Sequence, residues 1–306
     1  MSASVRTPVA SAQVFLAGLI DYAGLFPPAS LDMMSCVRNY SRYLKSQERW
    51  ALGRYILPVA RMDEFLSAKE NVAGDPWKLS GILSMNIVDD LAAVDGFNRK
   101  ARGAVIDAVE LRVRSTEEIE LAMRHLPATT AAFFEIELEH AKALLPAVRR
   151  ARGYAKLRTG GVVQEAFPAI EWIAEFLTAC AELGLAFKAT AGLHHPLRCM
   201  HPLTYETNAS EGLMHGFLNL FTAATIAWSA ARAGYAVPRD ALATCLADEE
   251  RANWHFDEHG LTWSGEEEPV HVGLNVLRTM RSEFALSFGS CSFEEPIADL
   301  RELDLL

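Results

Sequence analysis

Short apolar segments alternate with longer amphipathic segments along most of this chain. The apolar segments favour strands, and the segments after them carry apolar residues at helical spacing. The candidate strands lie at residues 14–23, 54–60, 78–87, 105–113, 130–138, 153–159, 185–193 and 284–293. Gly184, just before the seventh of these, is expected to end a helix in the left-handed conformation. The alternation predicts an α/β protein whose parallel sheet is covered by helices.

The alternation is interrupted between the seventh and eighth candidate strands. An insertion at about 235–272 contains a helix and a predicted β-hairpin at 254–263, which turns at His259-Gly260. Eight strand–helix units in 306 residues predict a single (β/α)8 TIM barrel over 1–306, with this helix-plus-hairpin insertion before the last strand. An open, doubly wound sheet is the alternative, but no GxGxxG follows the first strand and no P-loop motif occurs.

Net charge and cysteine spacing narrow the class of protein. The net charge is −10 and no basic run occurs, which argues against nucleic acid as a partner. Five cysteines scattered singly, and a poor candidate for a signal peptide at the start, favour a cytoplasmic protein with reduced thiols. The apolar segment at 213–231 contains His215 and Asn219, so a buried helix is expected there rather than a membrane span.

Charged residues occupy four consecutive candidate strands, where apolar residues would be expected. Alternate residues of a strand share a face, so the charged residues within each strand point the same way. These same-face pairs are Glu110 with Arg112, Glu135 with Glu137, Lys156 with Arg158, and Lys188 with Thr190. The residues between them are apolar and should face the helices, which leaves the charged set inside the barrel near its carboxyl-terminal mouth. The set is either a buried ion-pair network that fills the barrel or a catalytic site.

Two of these residues indicate a specific chemistry. A lysine attacks a carbonyl only when it is neutral, and its ordinary pKa is about 10.4. Lys156 and Lys188 are expected at similar depth on neighbouring strands, so Lys188 would lower the pKa of Lys156. Glu110 or Glu135 would then transfer protons. The pattern predicts a Schiff-base enzyme with Lys156 as its nucleophile.

Three segments have a recognisable order along the chain. They are AKLRTGG at 155–161, FKATAGLHHPLR at 187–198 and SFGSCSF at 287–293. In that order they resemble the class I aldolase barrel of the deoxyribose-phosphate aldolase type. The segment LIDYAGLF at 19–26 is similar to the first strand of that family and adds Asp21 to the candidate site.

The resemblance implies a TIM-barrel lyase that makes or breaks a carbon–carbon bond. In that family the residue matching Lys156 forms the Schiff base, the residue matching Lys188 tunes it, and an acidic residue at the place of Glu110 relays protons. The loop with Gly289 and Ser290 would help to hold phosphate.

The chain departs from this family at three places. Glu110 stands where the family has Asp, and Arg158 replaces a small polar residue. His194 and His195 occupy a glycine turn that also binds phosphate in the family. The resemblance therefore implies lysine chemistry on a small carbonyl or sugar-like substrate without specifying a phosphorylated one. This hypothesis requires no cofactor or metal.

The histidines support a second hypothesis. His194 and His195 follow the seventh strand, and His215 begins the apolar helix with Asn219 one turn later. With a carboxylate they would offer nitrogen and oxygen ligands to a divalent metal, as in a metal-dependent lyase or isomerase. Arg158 or Arg198 would clamp an anionic part of the substrate.

A third hypothesis is a non-catalytic barrel that binds a small ligand. Ammonium groups of Lys156 and Lys188 within about 6 Å of each other, without a full cage of carboxylates, favour the Schiff-base hypothesis. Imidazoles and a carboxylate that converge on one point favour the metal. Lysines tightly paired with Glu110, Glu135 or Glu137, without an open pocket, favour the third hypothesis. A membrane partner is not expected, and a homo-oligomer is left open. The residues assigned to catalysis are Lys156, Lys188, Glu110 and Glu135. Those assigned to substrate binding are Asp21, Arg112, Glu137, Arg158, His194, His195, Arg198, His215, Asn219, Gly289 and Ser290.

Overall fold

The computed structural model of the protein describes residues 8–306, except residues 71, 73, 75 and 128. Its strands are β1 (Ile20–Tyr22), β2 (Leu52–Pro58), β3 (Trp77–Ile82), β4 (Ala104–Arg112), β5 (Ala131–Glu135), β6 (Tyr154–Arg158), β7 (Phe187–Thr190), β8 (Cys199–Pro202), β9 (Glu211–Met214), β10 (Trp254–Phe256), β11 (Gly260–Trp263), β12 (Val270–Gly273) and β13 (Ala285–Ser290). Its α-helices are α1 (Ala10–Leu16), α2 (Met33–Tyr43), α3 (Met62–Lys69), α4 (Ile87–Lys100), α5 (Thr116–His125), α6 (Ala141–Arg150), α7 (Ile170–Leu183), α8 (Phe217–Arg232), α9 (Arg239–Ala247), α10 (Leu274–Glu283) and α11 (Glu294–Glu302).

Strands β1 to β7 and β13 form a closed parallel barrel in the order β1-β13-β7-β6-β5-β4-β3-β2. The predicted (β/α)8 TIM barrel is therefore confirmed. Strand β13 pairs with both β1 and β7 and so closes the barrel. The main apolar core includes the strand residues expected to face the helices, such as Val109, Phe134 and Phe187, each 0% exposed.

The first apolar segment, 14–23, contains the end of a helix as well as a strand. Helix α1 ends at Leu16, Gly18 adopts a φ of +57°, and β1 begins only at Ile20. The buried residues of α1 include Ser11, Ala12, Phe15 and Leu16, which is helical spacing. The expectation of a strand throughout 14–23 is wrong, because a short apolar run fits either period.

The helix-plus-hairpin insertion lies between β7 and β13. Strands β10 and β11 form the expected hairpin, with Trp254 opposite Trp263. Asp257 holds the turn, because its Oδ1 accepts hydrogen bonds from the backbone N–H groups of His259 and Gly260. Strand β12 extends this sheet, and a second hairpin, β8–β9, precedes α8. Strand β12 and the β8–β9 hairpin were not expected, since a strand of four residues is too short to show a clear alternation of apolar and polar positions.

Helix α8 accounts for the most apolar segment of the chain. Its residues 217–228 are all buried, and the helix packs against α7 and α9. The expectation of a buried helix is confirmed. No helix in the described residues is both long and apolar enough to cross a membrane.

The C-terminus of α7 gives a first prediction. Gly184 ends the helix at φ +58° and ψ +38°, and a Cβ there would meet no atom within 4 Å. Gly184→Ala should therefore destabilise the protein by about 1–2 kcal/mol through backbone strain alone. Gly96 inside α4 is equally open but has no left-handed φ, so Gly96→Ala should stabilise by about 0.5–1 kcal/mol. Urea unfolding measures both changes, and effects of the same sign would contradict this explanation.

Candidate active site

Four neighbouring strands bring buried charged side chains together inside the barrel. Glu135 of β5 is level with Lys156 of β6, and Lys156 is level with Lys188 of β7. Glu110 of β4 lies level with Phe133 of β5, two residues before Glu135. The four charged residues are between 1% and 8% exposed. The alternation of strand residues thus places them as the sequence indicated.

Each of the two lysines is held between two carboxylates. Lys188 Nζ lies 2.6 Å from Asp21 Oδ2 and 2.6 Å from Glu110 Oε1. Lys156 Nζ lies 2.9 Å from Glu110 Oε2 and 2.8 Å from Glu135 Oε2. Glu110 therefore bridges the two lysines, with one oxygen on each.

The alternation of charges continues to the mouth of the barrel. Glu135 Oε1 accepts a hydrogen bond from Arg158 Nε at 3.0 Å. Beside this pair, Arg112 donates a hydrogen bond to Glu137. The side chains of Arg158 and Arg112 are each 52% exposed, so both arginines stand at the rim. We call the connected set the ion chain; its members are Asp21, Lys188, Glu110, Lys156, Glu135 and Arg158.

Small polar groups complete the hydrogen bonding of the buried carboxylates. Ser80 donates its hydroxyl to Glu110 at 2.8 Å, and Ser287 donates to Asp21 at 2.7 Å. The backbone N–H of Arg54 donates to the second oxygen of Asp21 at 2.6 Å. The sequence analysis missed these residues. The signal that could have indicated Ser80 and Ser287 is a serine within an otherwise apolar strand.

Within the ion chain, neighbouring charges outweigh burial in their effect on the pKa of Lys156, Glu110 and Glu135. Burial alone would lower the pKa of Lys156, but Glu110 and Glu135 outweigh it and raise that pKa. Burial alone would raise the pKa of Glu110, but Lys156 and Lys188 outweigh it and lower that pKa. The pKa of Glu135 is also lowered, because Lys156 and Arg158 outweigh burial. The expectation that Lys188 keeps Lys156 neutral is wrong for this structure, because Glu110 lies between the two cations.

An open cavity of about 510 Å³ gives access to both lysines. Glu110, Glu135, Lys156 and Lys188 line it at the carboxyl ends of the strands, where TIM barrels carry their active sites. The rest of its wall is largely apolar and includes Phe26, Pro27, Ile56, Ile82, Leu83 and Leu111. The two carboxylates around each lysine do not meet the criterion set for the Schiff-base hypothesis, and the open pocket does not meet the one set for the non-catalytic barrel.

His194 lines the same cavity and belongs to a second polar group. Its Nδ1 lies 3.2 Å from Glu295 Oε2 and 3.9 Å from Cys291 Sγ. Tyr205 donates its hydroxyl to Glu295 at 3.1 Å. Burial would lower the pKa of His194, but Cys291 and Glu295 outweigh it and raise the pKa to about 9. Glu295 and Tyr205 were missed by the sequence analysis, which treated Glu295 only as part of a helix start.

The other two histidines of the metal hypothesis have separate partners. His195 Nδ1 lies 2.6 Å from Asp299 Oδ2, and His215 Nε2 donates to the carbonyl of Pro168 at 2.9 Å. Among the described residues, the group close enough to share an ion does not include them. It consists of Glu137, Glu139 and His140, at the rim. The histidines proposed as metal ligands are thus not brought together.

The remaining candidate residues divide into those at the central cavity and those away from it. Gly289 lines the cavity, and Ser290 is buried beside it at the end of β13. Arg198 pairs with Glu249 and lines a separate pocket with His215. Asn219 is 0% exposed; it accepts from the Arg198 backbone and donates to the carbonyls of Cys245 and Asp248. Arg198, His215 and Asn219 therefore lie outside the central cavity.

Comparisons with known proteins add one weak likeness. No protein-family model matches the chain, and no curated protein matches it either. Among solved structures, the chain is similar to the "unique tetrameric structure of deoxyribose phosphate aldolase from Aeropyrum pernix". The likeness has 15% sequence identity and a TM-score of 0.40, and it covers 60% of this chain and 80% of the other. The functional case consequently depends on the cavity and its residues.

Lys188 is predicted to be essential for stability. Lys188→Met would leave Asp21 and Glu110 buried with one cation fewer, and such a loss costs about 3–5 kcal/mol. Urea unfolding at pH 7 measures the change, and Lys142→Met, on the exposed surface of α6, serves as the control. The double variant Lys188→Met/Asp21→Asn should recover part of the loss, because it removes the charge left alone. A loss below about 1 kcal/mol in Lys188→Met would contradict this role of the ion pairs.

Proposed function

We propose that the protein is a lyase of aldolase type, which forms a Schiff base between Lys156 and a small carbonyl compound. The observation that carries the proposal is the position of Lys156. Its amine is buried between Glu110 and Glu135, yet Lys156 lines an open cavity of about 510 Å³. A buried ion pair that only filled the barrel would not need such an opening.

The carboxylates around Lys156 suit a Schiff base as well as they suit an ammonium group. The lysine ammonium and a carbonyl give a protonated imine and one water molecule, so the positive charge is kept. Glu110 and Glu135 therefore balance the same charge before and after the reaction. This matters because an unbalanced charge in a buried site is costly.

Proton transfer falls to the same two carboxylates. Lys156 must lose a proton before its nitrogen attacks the carbonyl carbon, and Glu135 is 2.8 Å from that nitrogen. The proton can return to the carbinolamine oxygen, which leaves as water. When a carbon–carbon bond of the imine breaks, the hydroxyl on the departing carbon loses its proton to a base and becomes a carbonyl, while the bonding electrons move to the imine and form an enamine. Glu110, beside Lys156, can accept that proton.

The alternative is a non-catalytic barrel that binds a small ligand. The specific observation in its favour is that both lysines are paired with carboxylates at 2.6–2.9 Å. In that case the cavity would bind ligands without forming a covalent bond, which the next experiment tests.

The first test is trapping of the imine. The folded protein is incubated with a panel of small aldehydes and ketones, reduced with borohydride, and examined by intact and peptide mass spectrometry. An adduct on Lys156 is expected, together with its complete loss in Lys156→Met and its retention in Lys142→Met. Adduct formation on several surface lysines alike, or none on Lys156, would overturn the proposal and favour the ligand-binding barrel.

The second test is the pH dependence of trapping. The raised pKa of Lys156 keeps most of the amine protonated at neutral pH, so the trapping rate should rise about tenfold per pH unit between about pH 7 and 9.5. Glu135→Gln removes one of the two carboxylates that raise this pKa. The trapping rate of Glu135→Gln should therefore stop rising at a lower pH than that of the wild type, whatever its absolute value. A wild-type profile that is already flat above about pH 8 would contradict the raised pKa.

A further inference from the structure

The wall of the central cavity carries more positive than negative charge. The charged residues that line it are Glu110, Glu135, Lys156, Lys188, Arg112, Arg158 and His194. His194 is included because its pKa of about 9 keeps it protonated at neutral pH. Asp21, Glu137 and Glu295, which pair with three of these cations, are not among the described residues that line the cavity. A molecule in the cavity therefore meets more cationic than anionic side chains, although Glu110 and Glu135 also line it.

Two of the cations are arginines that retain free hydrogen-bond donors. Arg158 donates through Nε to Glu135 and through one terminal nitrogen to the carbonyl of Gly160. Arg112 uses one terminal nitrogen for Glu137. Within the described part of the chain, the other guanidinium nitrogens of both residues have no protein acceptor. A planar guanidinium with free donors is suited to bind a carboxylate through two parallel hydrogen bonds.

Arg158 lies close to the proposed nucleophile. Lys156 Nζ and Arg158 Nε hold the two oxygens of one carboxylate, that of Glu135, at 2.8 and 3.0 Å. A single carboxylate therefore bridges the two nitrogens. A molecule whose carbonyl reaches Lys156 can place a second polar group on Arg158 only if a short carbon chain joins the two.

The glycine turns after β6 and β7 are poorly suited to a phosphate. A phosphate is typically bound by backbone N–H groups of an open glycine turn or a helix N-terminus. Here Gly160 and Gly192 pack against each other, since a Cβ on Gly160 would lie 2.9 Å from the Gly192 Cα. The Phe167 ring covers the same place, 2.5 Å from that Cβ. The exposed arginines are thus the better anion site.

We propose that the substrate is a short-chain oxo acid, whose carbonyl reacts with Lys156 and whose carboxylate binds Arg158 and Arg112. The inference rests on the proposed Schiff-base function and adds the class of substrate. It assigns Arg158 and Arg112 to the recognition of the acid group.

Matched pairs of probes test this inference. Pyruvate is compared with methyl pyruvate, and 4-oxobutanoate with its methyl ester, so that in each pair a negative charge is replaced by a methyl ester on the same carbon skeleton. Hydroxyacetone phosphate supplies a phosphorylated ketone. The concentration that gives half-maximal borohydride trapping on Lys156 is expected to be at least about tenfold lower for each acid than for its ester.

Variants of the two arginines complete the test. The preference is the ratio of the half-maximal concentrations of ester and acid within one variant, so a change in the general reactivity of Lys156 cancels. Arg158→Met should remove most of this preference, and Arg112→Met should reduce it. Arg232→Met is the matched control, because Arg232 forms an exposed pair with Glu283 away from the cavity. Its preference should equal that of the wild type.

Each other outcome overturns the inference in a recognisable way. Equal half-maximal concentrations for acid and ester would refute carboxylate recognition while leaving the Schiff base intact. A preference for hydroxyacetone phosphate that Arg158→Met abolishes would assign the arginines to phosphate instead. The absence of any adduct from all five probes would overturn the Schiff-base function, and this inference with it.

Discussion

The bridging position of Glu110 is the constraint on which the rest of the site depends. Its two oxygens contact two different lysines, at 2.6 and 2.9 Å, in the interior of the barrel. Each lysine is buried between this carboxylate and one other, and the pairs offset the desolvation of an ammonium group, which costs several kcal/mol. Ser80 fixes the carboxylate from β3, so three strands besides β4 contribute to the position of one side chain.

This arrangement unites stability and chemistry in one set of residues. The ion chain fills the barrel interior, where many TIM barrels place branched apolar side chains. Its members are three cations and three carboxylates, and all of them except Asp21 line the cavity. A substitution that changes the chemistry of these residues therefore also changes the stability of the barrel. Arg112, which stands at the rim and pairs with Glu137, lies outside the ion chain.

The barrel and the inward position of the charged residues could be predicted from sequence, because period-two alternation survives in strands as clear as 105–113 and 130–138. The partners of those residues could not. The assignment of Lys188 as the cation that keeps Lys156 neutral assumed direct contact between them, whereas register and rotamers place Glu110 between the two. Likewise, proximity along the chain suggested that His194, His195 and His215 act together. Their partners Glu295, Asp299 and Pro168 are far away in sequence, and the spacing of residues near each histidine does not predict such contacts.

The order in which the strands are joined has a consequence for synthesis of the chain. Strand β13 completes hydrogen bonding along both β7 and β1, but it follows all the other barrel strands along the chain. Until it emerges from the ribosome, β1 and β7 present unpaired strand edges, and Asp21 lacks its bond from Ser287. A nascent or truncated chain without β13 therefore holds an open sheet, exposed to pairing with other chains. Helix α8, whose residues 217–228 are all buried in the finished barrel, also precedes β13, so the intermediate without β13 carries a strongly apolar helix and is prone to aggregate.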